Sequence, residues 1–218
     1  MFREILRTQW KWSWHAVALS VVAAFALPLI SVQPTGLGAE SIFETAAIMN
    51  MMGRYSQWFG GLALLLGLLF ATITWGSDHR GKHVYAMILP VARHRYVLMR
   101  YLAGLILLAG PLFALWAGSM VAVATAHIPT GLRPYPNMLA MRFALATLLA
   151  FSVFFAISSG TSRTAAYVLT ILVLIGLGQV GINVVGLDQD VAGWIYDRLI
   201  VWPGPFEIFT GEWKLIDV

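Results

Sequence analysis

Residues 76–100 read GSDHRGKHVYAMILPVARHRYVLMR, a charged segment that lies between two long uncharged runs. The segment carries five of the 14 Lys and Arg residues of the chain and three of its five His residues. Short loops rich in Lys and Arg are found on the cytoplasmic side of membrane proteins. We therefore expect residues 77–100 to form a cytoplasmic loop between two membrane spans.

Apolar residues recur within this segment at positions i, i+3, i+4 and i+7, which is the spacing of one helical face. They are Val84, Met87, Ile88 and Val91. Pro90 disfavours helical dihedral angles at the residue before it. The pattern predicts a short amphipathic helix before Pro90 and a second helix that begins near Arg93 and continues into the next apolar run.

The composition of the chain is that of a membrane protein. Of its 218 residues 59% are hydrophobic and 11% are charged, and the mean hydropathy is +0.77, whereas soluble domains have about 25% charged residues. The absence of cysteine excludes disulfides and thiolate metal sites. Basic residues flank apolar runs and form no stripe with aromatic residues, which argues against nucleic-acid binding. The composition predicts an all-α integral membrane protein.

The apolar runs predict five spans, because about 20 residues are needed to cross the hydrocarbon core. They are residues 13–32, 58–75, 101–126, 138–158 and 165–185. Residues 186–218 hold no run of that length and predict an external connector of short helices. If the N-terminus, residues 77–100 and Arg163 lie inside, that side has nine Lys and Arg residues and two acidic residues. The rest of the chain has five Lys and Arg residues and eight acidic residues. This asymmetry places the N-terminus inside and the C-terminus outside.

Residues 1–14 predict an amphipathic helix. Its apolar face comprises Phe2, Ile5, Leu6, Trp10 and Trp14, and its polar face comprises Arg3, Glu4, Arg7, Thr8 and Lys11. Such a helix lies in the plane of the membrane interface. The alternative is a secretory signal peptide, because residues 24–26 read AFA, a cleavage-like site; the aromatic residues and Glu4 favour the interfacial helix.

Small residues recur every four positions along the third predicted span. They are Gly110, Ala114, Gly118, Ala122 and Ala126. A stripe of this kind lets another helix approach closely. We favour packing against a neighbouring span of the same chain over a seam between two chains.

Three polar residues within the predicted spans are candidates to line a transport pathway: Arg142, Gln179 and Asn183. Each has an alternative role. Arg142 lies close enough to the end of its span to extend its charge to the headgroups. The two amides suit hydrogen bonds between helices.

The chain has no motif for chemistry of its own. It has no G-x-x-x-x-G-K-S/T loop, no H-E-x-x-H and no intramembrane carboxylate pair. His79 and His83 are four residues apart, but no third ligand lies near them in sequence, so we expect no metal site. An intramembrane enzyme and a proton-driven carrier are therefore disfavoured.

The charged segment resembles a known element. It is similar to the first cytoplasmic loop of type 2 ABC transporter permeases. The resemblance lies in Asp78, a basic-Gly pair, an apolar helix, and Leu-Pro-Val-x-Arg-x-Arg-Tyr before a span. In that family this loop is the coupling helix, which docks on the ATP-binding subunit, and residues 1–14 correspond to the elbow helix. The family has six spans, the fifth and sixth joined outside by short re-entrant helices that dip into the membrane, and residues 186–218 resemble that connector. The resemblance implies contacts with the ATP-binding subunit at Arg3, Arg7, Arg80, Gly81, Lys82, Val84, Tyr85, Met87, Ile88, Leu89, Pro90 and Arg93.

The resemblance implies the permease subunit of an ATP-driven exporter in a bacterial cytoplasmic membrane, paired with a second permease chain that is identical or related. No cofactor is expected in this chain, because ATP and Mg²⁺ would bind the partner subunit. Apolar spans with few amides favour a hydrophobic or amphiphilic substrate. The alternative is a structural or assembly membrane protein without transport activity.

Overall fold

The computed structural model describes most of the chain. The described residues are 2–32, 42–80, 92–126, 128, 132–159, 164, 167, 170, 171, 173–175, 177, 178, 191–201, 203–211 and 213–217. For residues 42–52, 54, 77–80, 191, 192 and 196 the description covers the backbone alone.

Long helices dominate the described part of the chain. The elements are α1 (Phe2–Ser31), α2 (Ile42–Arg80), α3 (Arg93–Thr125), β1 (Arg133–Pro134), α4 (Pro136–Ser159), α5 (Val191–Leu199), a 3-10 helix (Glu207–Phe209) and β2 (Ile216–Asp217). Four stretches of described residues are long and apolar enough to cross a membrane: Phe2–Ser31, Tyr55–Gly76, Arg93–Thr125 and Pro136–Ser159. The predicted all-α membrane fold is confirmed.

The predicted interfacial helix at residues 1–14 and the predicted span at 13–32 form one continuous helix, α1. The sequence has no glycine and no proline before Pro28, so nothing interrupts the helical backbone between the two predicted elements. A helix of 30 residues is about 45 Å long, whereas the hydrocarbon core is about 30 Å thick. The basic first turns of α1 therefore extend beyond the part that a membrane core can cover.

The other helices differ from the predicted spans mainly at their ends. Helix α2 has 39 residues and extends beyond the predicted span 58–75 at both ends, because its sequence contains no proline. Helix α3 begins at Arg93, as the sequence predicted. Helix α4 agrees with the predicted span 138–158 to within two residues. In the predicted span 165–185 the described residues, which lie between 167 and 178, are helical.

Helices α1 and α3 pack side by side in the same direction. A methyl group on Gly110 would contact Val17 and Val21, and one on Gly118 would meet the backbone of Phe25. Of the predicted stripe, Ala114 and Ala122 are also buried. This arrangement confirms packing within the chain, because small side chains on α3 let the α1 backbone approach closely.

Helices α2 and α4 form the second close pair and run in the direction opposite to α3. A methyl group on Gly67 would lie 2.5 Å from Cβ of Ala150 and 2.7 Å from the backbone nitrogen of Phe151. The two ends of the bundle can be named by the chain segments found there. We call the end where α2 stops and α3 begins, near residues 80 and 93, the loop end, and the opposite end the tail end.

The C-terminal residues dock at the tail end. Strand β2 pairs antiparallel with β1, with Arg133 opposite Asp217 and Pro134 opposite Ile216. The backbone N–H of Tyr135 donates to the carbonyl oxygen of Leu215 over 2.8 Å. Sequence patterns within residues 186–218 predicted short helices but not this pairing, because the partner strand lies about 80 residues earlier.

Helix α4 ends at the loop end, whereas residues 206–217 lie at the tail end. The number of spans stays a prediction, because part of the chain between Ser159 and Phe206 lies outside the described residues.

Candidate functional site

Three of the residues expected to contact an ATP-binding subunit are described with their side chains: Arg3, Arg7 and Arg93. All three are exposed. Gly118 of α3 lies opposite Phe25 of α1, which is 93 positions earlier in the chain. Because the two helices are parallel, each α1 residue lies beside the α3 residue about 93 positions later. The structure thus brings the start of α1 and the start of α3 to the same end of the bundle.

The remaining predicted contacts are not described with side chains. Arg80 is the last residue of α2, and its side chain is outside the description. The other predicted contacts and both candidate amides lie outside the described residues: Gly81, Lys82, Val84, Tyr85, Met87, Ile88, Leu89, Pro90, Gln179 and Asn183. Their roles stay predictions.

The loop end has a strongly basic surface. The exposed side chains that the structure describes near this end include Arg3, Arg7, Lys11, Arg93, His94 and Arg95. Glu4 is the only acidic residue whose side chain is described at this end. A surface dominated by one sign of charge attracts partners of the opposite sign. The loop end is therefore suited to an acidic protein surface or to anionic headgroups.

Arg100 is buried close to the loop end and bonds two helices. Its side chain is 7% exposed, and Nε and Nη2 donate to the hydroxyl oxygen of Tyr96 over 2.9 and 2.7 Å. Nη1 donates to the carbonyl oxygen of Thr74 on α2. The guanidinium carbon also lies 5.8 Å from the centroid of the Trp75 ring. Arg100 thus links α3 to α2 through charge-assisted hydrogen bonds and a cation–π contact.

Aromatic contacts extend this link to α4. The rings of Trp75 and Phe155 are 5.2 Å apart, and those of Tyr101 and Phe155 are 5.1 Å apart between centroids. The hydroxyl groups of Tyr101 and Ser152 are within hydrogen-bond distance at 2.8 Å. We call the group of residues 75, 96, 100, 101, 151 and 155 the loop-end cluster.

Arg142 holds the C-terminal residues at the tail end. Its Nε donates to the carbonyl oxygen of Ile208 over 3.1 Å, and its Nη2 donates to that of Thr210. Its guanidinium carbon lies 4.7 Å from the centroid of the Trp213 ring. The backbone N–H of Trp213 donates to Ser56 Oγ on α2 over 2.6 Å. Arg142 therefore reaches the tail of its own chain, and its role in lining a pathway stays a prediction.

Sequence reasoning counted Arg100 only as one charge of the loop and did not single out Trp213. The i, i+4 spacing of Tyr96 and Arg100 is a signal that could have indicated a buried pair. The contact with Thr74 had no such signal, because the two residues are 26 positions apart.

The described side chains contain no group of three or more His, Asp or Glu residues that could hold a metal ion. Arg100 binds α2, and Arg142 binds the tail. These two arginines therefore serve contacts within the chain.

A family model described as ABC-2 family transporter protein matches residues 40–197, which is well over half of the chain. The match extends from the start of α2, across the charged loop, to α5. Comparisons with curated proteins and with solved structures returned no match. The chain therefore belongs to the ABC-2 family of transporter proteins, and it is a membrane permease component of an ABC transporter that works with an ATP-binding cassette subunit.

Proposed function

We propose that this permease is the membrane subunit of an ATP-driven exporter in a bacterial cytoplasmic membrane. ATP and Mg²⁺ bind a separate subunit, which docks at the loop end. The loop end and the N-terminus lie in the cytoplasm, and two permease chains, identical or related, enclose the pathway.

The observation that carries this proposal is the meeting of two chain segments at one end of the bundle. The start of α1 carries Arg3 and Arg7, and the start of α3 carries Arg93, all exposed at the loop end. Residues 81–91 join α2 to α3 at this same end. A subunit that docks here can contact both segments at once, and their excess of positive charge favours an acidic docking surface.

The composition of the spans supports a hydrophobic or amphiphilic substrate. Residues 16–31, 55–76, 101–125 and 143–159 contain no acidic, basic or histidine residue. Ions and proton relays require charged or titratable groups within the spans. A molecule that carries its own apolar surface needs no such partners.

In the proposed mechanism, closure of paired ATP-binding subunits displaces residues 81–91. The ends of α2 and α3 move with this segment and alter the contacts between the two permease chains. Any such movement requires that the docked state and the free state differ in free energy, which the ATP-binding subunits supply.

The loop can be tested by placing charges on its predicted apolar helix. In the Tyr85→Glu, Met87→Glu variant we expect insertion into the membrane to be intact and permease-stimulated ATPase activity to be lost. The matched control is Tyr135→Glu, Met138→Glu, which changes the same residue types at exposed positions of the tail end. The control should retain stimulation, because the ATP-binding subunit does not reach that end.

The first measurement is identification of the proteins that purify with the full-length chain in mild detergent. Stoichiometric recovery of an ATP-binding subunit, lost in the Tyr85→Glu, Met87→Glu variant, supports the proposal. Normal coupling in that variant contradicts docking on residues 81–91. Recovery of the chain without an ATP-binding subunit contradicts the exporter and favours an assembly protein.

A further inference from the structure

The position of Arg100 relative to the charged loop suggests a role beyond packing. Six residues separate Arg80, the end of α2, from Thr74, and seven separate Arg93, the start of α3, from Arg100. At 1.5 Å rise per residue, this bond lies about 10 Å below the two helix ends that flank residues 81–91. A force on the loop therefore reaches the Arg100 link within two turns of either helix.

The chemistry of arginine suits a link between two helices. The planar guanidinium group remains charged and presents several donors in fixed directions. Arg100 uses these donors on the hydroxyl of Tyr96 in α3 and on the carbonyl of Thr74 in α2. Because the side chain is 7% exposed, water offers little replacement for a broken bond, and separating the two helices is costly.

The loop-end cluster gives the link a third member. Gly104 lies one turn after Arg100, and a methyl group there would meet both the Thr74 hydroxyl on α2, at 2.9 Å, and the Phe151 ring on α4, at 2.6 Å. Interiors packed this closely transmit displacement because they have no free volume to absorb it. The ends of α2, α3 and α4 are therefore in continuous contact at this level.

We propose that Arg100 is the positioning residue that makes the loop ends of α2 and α3 move as one unit, and that the loop-end cluster passes this movement to α4. The inference rests on the proposed function. Without the link, displacement of residues 81–91 would spread α2, together with α4 that packs on it, from α3.

The chain contains no cysteine, so spin labels can be attached at chosen positions without background. Thr72→Cys on α2 and Leu98→Cys on α3 are exposed sites outside the loop-end cluster. The labelled chain is mixed with excess unlabelled chain, purified with its ATP-binding subunit, and measured without nucleotide and with ATP, Mg²⁺ and vanadate. In wild type we expect a narrow label separation that nucleotide does not change.

In Arg100→Met we expect a broader separation that changes with nucleotide. Permease-stimulated ATPase activity should fall by about tenfold or more, the effect of losing a buried charge-assisted hydrogen bond. Arg100→Lys should give a label separation and an ATPase activity between those of wild type and Arg100→Met, because lysine keeps the charge but lacks the planar guanidinium group. The control Arg142→Met, which removes an arginine at the tail end, should keep the wild-type label separation.

If Arg100→Met does not fold, Tyr96→Phe removes one acceptor and keeps the ring, and it should show a smaller change in the same direction. The inference is overturned if the Arg100 and Tyr96 variants keep the wild-type label separation and the wild-type ATPase activity while the wild-type chain stimulates its ATP-binding subunit. In that case the proposed function still stands. If the wild-type chain recovers no ATP-binding subunit, the proposed function fails and the inference with it.

Discussion

The close approach of α2 and α4 can be tested at one glycine. In Gly67→Ala the added methyl carbon would lie 2.5 Å from Cβ of Ala150, 2.7 Å from the backbone nitrogen of Phe151 and 2.8 Å from the carbonyl carbon of Ala150. Two of these three atoms belong to the backbone of α4, so no side-chain rotation can relieve the overlap. The helices must separate.

The required separation sets the magnitude. An ordinary contact begins at 3.4 Å, so the closest pair of atoms must move apart by about 0.9 Å. A gap of about 0.5–1 Å forfeits a quarter to a half of each dispersion contact along the interface. Overpacking of this kind costs about 1–3 kcal/mol, whereas replacing glycine by alanine within a helix gains about 1 kcal/mol.

The matched control is Gly61→Ala in the same helix. Gly61 is exposed and an added methyl group would have no atom within 4 Å. Because both variants gain the same helix propensity, the difference between their free energies of unfolding isolates the overlap and should be about 1–3 kcal/mol. Thermal unfolding of the purified chain in mild detergent measures it, with Gly67→Ala melting at least about 2 °C below Gly61→Ala.

Equal melting temperatures for the two variants would refute the reasoning, because they would mean that α4 does not contact α2 at Gly67. A further check is Gly67→Leu, whose longer side chain should lower the melting temperature more than alanine does. A leucine variant as stable as wild type would lead to the same conclusion.

Three further predictions concern the two ends of the bundle. Arg142→Met should speed trypsin cleavage after Lys214 by about tenfold or more, because it removes charge-assisted hydrogen bonds to the tail; an unchanged cleavage rate would show that the tail docks without Arg142. Ser56→Ala should speed the same cleavage, because it leaves the buried N–H of Trp213 without its acceptor; slower cleavage would contradict this. Gln9→Leu should raise the free energy of unfolding by about 1–3 kcal/mol, because both amide atoms of Gln9 are buried without a hydrogen-bond partner among the described residues. Thermal unfolding measures this change, and a melting temperature below that of wild type would reveal a partner.

Much of the fold could be read from local sequence. The start of α3 at Arg93 and the limits of α4 follow from apolar runs and their flanking residues, because helix formation depends on neighbours within a few positions. The small-residue stripe predicted which face of α3 would meet another helix. The join between residues 1–14 and the first span was missed, because the lack of glycine and proline before Pro28 permits one continuous helix but does not require it.

By itself, the sequence determined that this is an all-α membrane protein, that a basic loop separates two spans, and that the loop resembles that of an ABC permease. Only the tertiary structure decided that α1 packs on α3 and α2 on α4, that Arg100 binds Thr74, and that Arg142 holds the tail. The physical reason is distance along the chain. Periodicity reports interactions over a few residues, whereas Arg142 and Ile208 are 66 positions apart and meet only because the packed helices bring them together.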